Sequence, residues 1–301
     1  MTVWDPDVLV RVGQLHLRAR QLVAGVHHGM HASVKVARNI EFADYKEYSP
    51  GDPIRDLDWR VAARTDRLVV RRQQAERELS VTFVLDASGD LGTGTSGMYN
   101  RPSLEGSKFG TAITLIATMA WYLQRRGEPV GLVVLAGDQV PFSWLPPRRS
   151  PAHLVRMFST LASIVPAGRA DLATEFSKLG QRFARRSAVV LVSDLMEDPA
   201  LWGPQLATLQ ERRVDVRVAH LYDGKEWALD FKKPVRFFSP EGGSALPIDP
   251  VSVQKVYQGV VEDYLVEVRG WLGSRRAQHV LVDTNKPIDR PLTQLLQGSG
   301  G

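Results

Sequence analysis

The chain has 301 residues, 44% apolar and 24% charged, with a formal net charge of +5 and no cysteine. That length and apolar content exclude wholesale disorder and suffice for one elaborated α/β domain or two average domains. The missing thiols exclude disulfides, zinc–thiolate sites, iron–sulfur clusters and cysteine nucleophiles, fit a reducing compartment, and leave oxygen ligands as the main metal chemistry.

The basic excess is dispersed. Seven basic doublets, from Arg71-Arg72 to Arg275-Arg276, are interleaved with acids along the whole chain. A nucleic-acid binder concentrates its charge on one element, so no nucleic-acid partner is expected.

In chain order, an amphipathic pattern over 6–24 predicts a helix. His27, His28 and His31 follow, with no Asp or Glu between His16 and Glu41 to complete a metal site. This reads as a loop or interface histidine cluster. Next come Glu41-Phe42 and Tyr48-Ser49-Pro50-Gly51-Asp52, in which Pro-Gly-Asp marks a turn. Arg55 lies close in sequence to Asp52, Asp56 and Asp58, and Trp59 follows, which suggests a charge-paired structural motif. Residues 1–77 are thus expected to form an N-terminal segment, and 78–301 the main domain.

Near-continuous apolar runs at 80–86, 129–136, 187–194, 214–222 and 279–283 suit strands covered on both faces. Helical patterns at 107–126, 151–164, 171–185, 200–211 and 250–276 alternate with them, and 224–249 reads as a hairpin or loop insertion. The alternation predicts an α/β fold with a doubly wound, mostly parallel sheet of Rossmann type. The longest apolar run, Thr111 to Leu123, is too short for a membrane span. The N-terminus lacks the cationic region of a secretory signal, and a soluble cytoplasmic protein is expected.

Asp86-Ala87-Ser88-Gly89-Asp90 follows a predicted strand directly, and Asp194 ends another. Right-handed crossovers bring such strand ends to one edge of the sheet. Carboxylates and a hydroxyl are hard oxygen ligands suited to Mg²⁺, Mn²⁺ or Ca²⁺; the competing reading is that these acids cap the following helices. Asp171 has the position of such an N-cap and is a further candidate ligand. The run Gly92-Thr93-Gly94-Thr95-Ser96-Gly97 matches a Gly-rich phosphate loop only in outline: Met98 replaces the P-loop lysine, and Pro102 delays the helix. It reads as a flexible loop. No nucleophile-elbow, zincin or kinase motif occurs. A metal-dependent hydrolase using Asp86, Asp90, Asp171 and Asp194 is the alternative function, but no Lys, His or Arg adjoins these motifs to act as base or charge stabiliser.

One resemblance covers nearly the whole chain. Gly29-x-His31-x-Ser33, Glu41-Phe42, Tyr48-x-Pro50-Gly51-Asp52-x-x-Arg55-x-x-Asp58-Trp59 and Ala63-Arg64 resemble the signature of the domain-of-unknown-function 58 family. Its members carry a von Willebrand factor A-like domain and commonly accompany MoxR-type AAA+ ATPases. The resemblance implies a metal-ion-dependent adhesion site, in which two acids, two serines and a threonine usually hold Mg²⁺ and a partner carboxylate completes the coordination. Asp86 and Ser88 fit the first two places of Asp-x-Ser-x-Ser; Asp90 stands where the second serine belongs; Ala170 stands at the threonine; Asp194 fits the final acid. A degenerate site with weak or altered binding of Mg²⁺ or another divalent cation is therefore expected. The implied function is a non-enzymatic interaction module, an adaptor or co-factor of a MoxR-type ATPase. Many family members have N-terminal membrane helices, whereas this chain begins almost at the signature, so a soluble component recruited to other, membrane-associated proteins is expected.

Overall fold

In a computed structural model, the residues described are 6–29, 44–50, 57–65, 67–72, 80–92, 107–135, 142–229, 231, 235–237 and 246–297. By its internal contacts the chain divides into two units, Met1–Val34 with Leu79–Gly301, and Lys35–Glu78. The sequence placed residues 1–77 in one segment. The difference is the first helix, α1 (Pro6–Gly29), whose apolar stripe is buried in the larger unit: Leu15 and Ala19 are fully covered. Arg11 Nη1 donates to the Ala162 carbonyl at 2.9 Å, and the His16 ring meets the edge of Trp121 at 4.6 Å.

The small unit holds β1 (Asp44–Glu47) antiparallel to β2 (Val69–Arg72), with α2 (Trp59–Thr65) between them in sequence. Tyr48 donates its N–H to the Leu68 carbonyl at 2.8 Å, closing the ribbon.

The larger unit is built on β3 (Val81–Asp86), β4 (Val130–Leu135), β5 (Ser143–Arg148), β6 (Ala188–Ser193), β7 (Asp215–Tyr222) and β10 (Gln278–Asp283). Their order across the sheet is β10-β7-β6-β3-β4-β5, all parallel except β5. Taken in chain order, this is the doubly wound 3-2-1-4-5-6 arrangement. The expected mostly parallel α/β fold is present, and every strand read from an apolar run is found within two residues of its expected ends.

Alternate residues along the strands feed two cores. Phe83, Leu85, Leu132, Val134, Val190 and Val192 face α1, α3 (Lys108–Arg125), α4 (Pro151–Ser163) and α9 (Asp289–Gln297). Val84, Val133, Val189, Leu191 and Val218 face α5 (Leu172–Leu179), α6 (Pro199–Glu211) and α8 (Pro250–Gly273). The insertion at 224–249 contains α7 (Gly224–Ala228) and a hairpin of β8 (Val235–Phe237) and β9 (Leu246–Ile248).

The antiparallel strand β5 was not legible as a strand, because it carries Pro146 and Pro147. It pairs on one side only, where a missing N–H is tolerated. Its backbone lies so close to β4 that a Cβ on Gly131 would stand 2.7 Å from the Leu145 carbonyl oxygen. Among the described residues, no helix is long and apolar enough to cross a membrane.

Candidate functional site at the sheet edge

The order of a doubly wound sheet reverses between its first and fourth strands, here β3 and β6. Ligands of such folds bind at the carboxyl edge of that switch point. Register pairs Leu85 with Val192. Asp86 and Ser193, the next residues on each strand, therefore stand side by side on the face that also carries Val84 and Leu191.

Asp86 is buried, 4% exposed. Its Oδ1 accepts the Ser88 N–H at 2.9 Å, and its Oδ2 accepts the Ser193 hydroxyl at 2.6 Å. Ser193 Oγ in turn accepts the Leu195 N–H at 2.9 Å. That bond holds Leu195 at φ +52°, a left-handed conformation unusual for a branched side chain. The Tyr264 hydroxyl donates to the Leu195 carbonyl from α8. Burial, and then the nearby charge of Asp194, push the Asp86 carboxyl up to about 7, against the opposing bonds from Ser193 and Ser88.

Asp194 is equally buried and is met by Lys108, whose Nζ lies 3.0 Å from its Oδ2 and 3.9 Å from Glu226 Oε2. Lys108 is the first residue of α3, placed there by Ser107, whose Oγ caps the helix by accepting the Gly110 N–H at 2.9 Å. Burial works against the ammonium, but Asp194, Glu226 and Asp90 together hold it above the ordinary lysine value. Asp90 follows in a short 3-10 turn, Gly89–Gly92. Burial and the Asp194 charge raise its carboxyl, while Lys108 and Arg169 oppose the rise.

The fold brings Asp86, Ser88, Asp90 and Asp194 to one edge of the sheet. It also brings two residues the sequence did not nominate, Ser193 and Lys108. The expectation that no cation adjoins these motifs is corrected: Lys108 is distant from Asp194 along the chain but in contact with it. The available signal was that Lys108 is the only charged residue between Ser107 and Gln124. Asp171 is engaged elsewhere, as the N-cap of α5. Its Oδ1 accepts the Thr174 N–H at 2.8 Å, its Oδ2 the Thr174 hydroxyl at 2.7 Å, and these bonds lower its pKa. Asp171→Ala is therefore expected to lose about 1 kcal/mol in urea unfolding, with no change in any response to divalent cations.

Of the signature residues, His31, Gly51, Asp52 and Arg55 lie outside the described residues, as do Thr93 to Gly97; the side chains of His27 and His28 are also outside them. Pro50 is exposed in a turn. Asp58 caps α2, its Oδ1 accepting the Arg60 N–H at 3.1 Å and the Val61 N–H at 3.3 Å, and Trp59 opens that helix 61% exposed.

The edge does not fit an adhesion-site metal. A divalent ion shared by Asp86 and Asp194 would meet carboxylates already engaged, Asp86 Oδ2 by the Ser193 hydroxyl and Asp194 Oδ2 by the Lys108 ammonium. Ala170, in the threonine place, offers a methyl group. Among the described residues, no group of three or more His, Cys, Asp or Glu is arranged to hold a metal ion.

Solved structures that align with the chain include an aerotolerance-related membrane protein of Bacteroides fragilis. It is 16% identical, covers 72% of this chain and 98% of that one, and has a TM-score of 0.47. BatB of Bacteroides thetaiotaomicron is 14% identical, covers 72% and 97%, and has a TM-score of 0.48. The SpRpn10 VWA domain is 10% identical, covers 74% and 98%, and has a TM-score of 0.42. Uncharacterized proteins of Mycobacterium bovis and Mycobacterium tuberculosis are 30% identical over 211 residues, 69% of this chain. The match spans 63% of the length of those relatives. Residues 44–263 match the family described as "Protein of unknown function DUF58". That match covers both the small unit's ribbon and most of the doubly wound sheet, and the chain belongs to the DUF58 family.

Proposed function

We propose that the domain is a non-enzymatic protein-interaction module, an adaptor or co-factor of a MoxR-type AAA+ ATPase, working in the cytoplasm. One observation supports this reading above the others: the polar groups at the switch-point edge are bonded to one another while an apolar side chain is displayed beside them. Asp86 is taken by Ser88 and Ser193, and Asp194 by Lys108. Two residues beyond Asp194, Met196 is 63% exposed, whereas Leu195 between them is fully buried. The left-handed turn at Leu195 produces that reversal. An edge of this kind offers a shaped surface with an adaptable apolar contact, which is how methionine serves at binding surfaces.

The test is capture of a MoxR-type ATPase encoded beside this chain by the tagged full-length protein, with ATPase turnover measured in its presence and absence. Co-purification that weakens in Met196→Asp supports the reading. Failure to bind, together with unchanged turnover, overturns it.

A further inference from the structure

Resting on that interaction reading, we propose that the ammonium of Lys108 is the permanent cation of the sheet-edge crevice, so that the domain works without a divalent metal. Four acids converge at this edge: Asp86, Asp90, Asp194 and Glu226. Uncompensated carboxylates in a buried site repel one another and are costly to ionise. A divalent ion is one way to neutralise them; a lysine built into the chain is another. Lys108 Nζ reaches Asp194 at 3.0 Å and Glu226 at 3.9 Å with its side chain 8% exposed, and its charge also offsets that of Asp90. Its placement is specified by the fold: Ser107 starts α3 one residue earlier, so the lysine stem leaves the helix at its N-terminus, toward the sheet edge.

The remaining acid needs no cation. Asp86 is satisfied by a serine hydroxyl and a backbone N–H. Mg²⁺ requires near-octahedral oxygen ligands at about 2.0–2.1 Å and sheds its water reluctantly. It would compete with the ammonium for Asp194 and with the Ser193 hydroxyl for Asp86, and Ala170, in the threonine place of the family pattern, has no side-chain oxygen to offer. The departures at Asp90 and Ala170 and the presence of Lys108 then form one arrangement: an edge whose acids are partly offset by a cation that belongs to the chain.

The experiment is titration of the full chain with Mg²⁺, Mn²⁺ and Ca²⁺ by calorimetry and thermal unfolding, for wild type, Lys108→Met and Lys108→Arg. The wild type and Lys108→Arg should show no saturable heat and the same unfolding temperature in millimolar Mg²⁺ as in EDTA. Lys108→Met removes the charge and leaves the acids facing an apolar stem, so Mg²⁺ should raise its unfolding temperature by several degrees. That gain should disappear in Lys108→Met/Asp194→Asn. Saturable binding by the wild type that is lost in Asp86→Ala overturns the proposal, and so does a Lys108→Met protein as indifferent to metal as the wild type. Should Lys108→Met fail to fold, amine-reactive labelling of the wild type gives the answer: Lys108 should label at the same slow rate with and without Mg²⁺, and acceleration by Mg²⁺ would show the ammonium being displaced. None of these readouts involves the ATPase, so its failure to bind overturns the interaction reading and leaves this one standing.

Discussion

Acidification from pH 6.5 to 4.5 is expected to cost the Asp86→Asn variant roughly 2–3 kcal/mol more stability than it costs the wild-type chain. The Asp86 carboxyl stands at about 7 in the folded protein, mainly because burial penalises its charged form, against an unperturbed 3.8. Between those values the folded state holds a proton that the unfolded state has lost. Stability from this group is therefore gained as pH falls from about 7 and lost as pH rises through it, by about 1.4 kcal/mol per pH unit. Asparagine cannot take up that proton, so the gain on acidification disappears.

Two histidines, His220 buried and His279 half-buried, work in the opposite sense. His220, beneath the edge on β7, is driven down to about 3 by burial and the neighbouring His279, and His279 is driven down to about 4 by burial. The two rings are bonded at 3.1 Å, with Trp227 and Tyr264 against His220. Below about 6.5 the unfolded chain binds protons that these folded rings refuse, so stability falls with pH. In the wild type the two slopes oppose one another; Asp90 and Glu226, also raised by burial, reinforce Asp86 and are common to both proteins. Urea midpoints at half-unit pH intervals measure the difference. Parallel profiles for the two proteins would show that Asp86 takes up no proton in the folded protein over this range.

What was legible in the sequence follows from how local each feature is. Strands buried on both faces leave continuous apolar runs, so β3, β4, β6 and β7 could be located almost to the residue. The edge strand β5 breaks that pattern with its prolines, and α9 buries only Leu292, Leu295 and Leu296 within nine residues. Asp86 and Asp194 could be placed at one edge because topology alone sends strand ends there. Their partners could not. Ser193 meets Asp86 across a separation of 107 residues, and Lys108 meets Asp194 across 86, so both contacts depend on sheet register and on where α3 begins. A lysine at the start of an apolar helix reads locally as an ordinary helix start. Only the packing shows that it meets Asp194 after β6 and Glu226 on α7.

Ser193→Ala should be the most damaging single-atom deletion at this edge, lowering stability by roughly 2–4 kcal/mol, because one oxygen serves two buried groups. Its hydroxyl hydrogen goes to Asp86 Oδ2 at 2.6 Å, and its lone pair takes the Leu195 N–H at 2.9 Å. Removing it leaves a carboxyl oxygen short of a donor and an amide short of an acceptor, each costing about 1–3 kcal/mol when buried. It also releases the turn that keeps Leu195 at φ +52° and Met196 on the surface. Ser187→Ala, which removes one hydroxyl donating to the Ala184 carbonyl at 2.7 Å just before the same strand, should cost about 1 kcal/mol and serves as the comparison. The pH profile separates the two further. The Ser193 bond holds the Asp86 carboxyl down, so without it the folded-state pKa rises above 7. The alkaline loss of stability then starts at higher pH than in the wild type, while Ser187→Ala keeps the wild-type profile. Equal effects of the two substitutions on both stability and profile would mean that Ser193 is ordinary strand packing. A larger, pH-shifted effect at Ser193 would identify it as the residue that holds the Asp86 carboxyl down while anchoring the Leu195 amide.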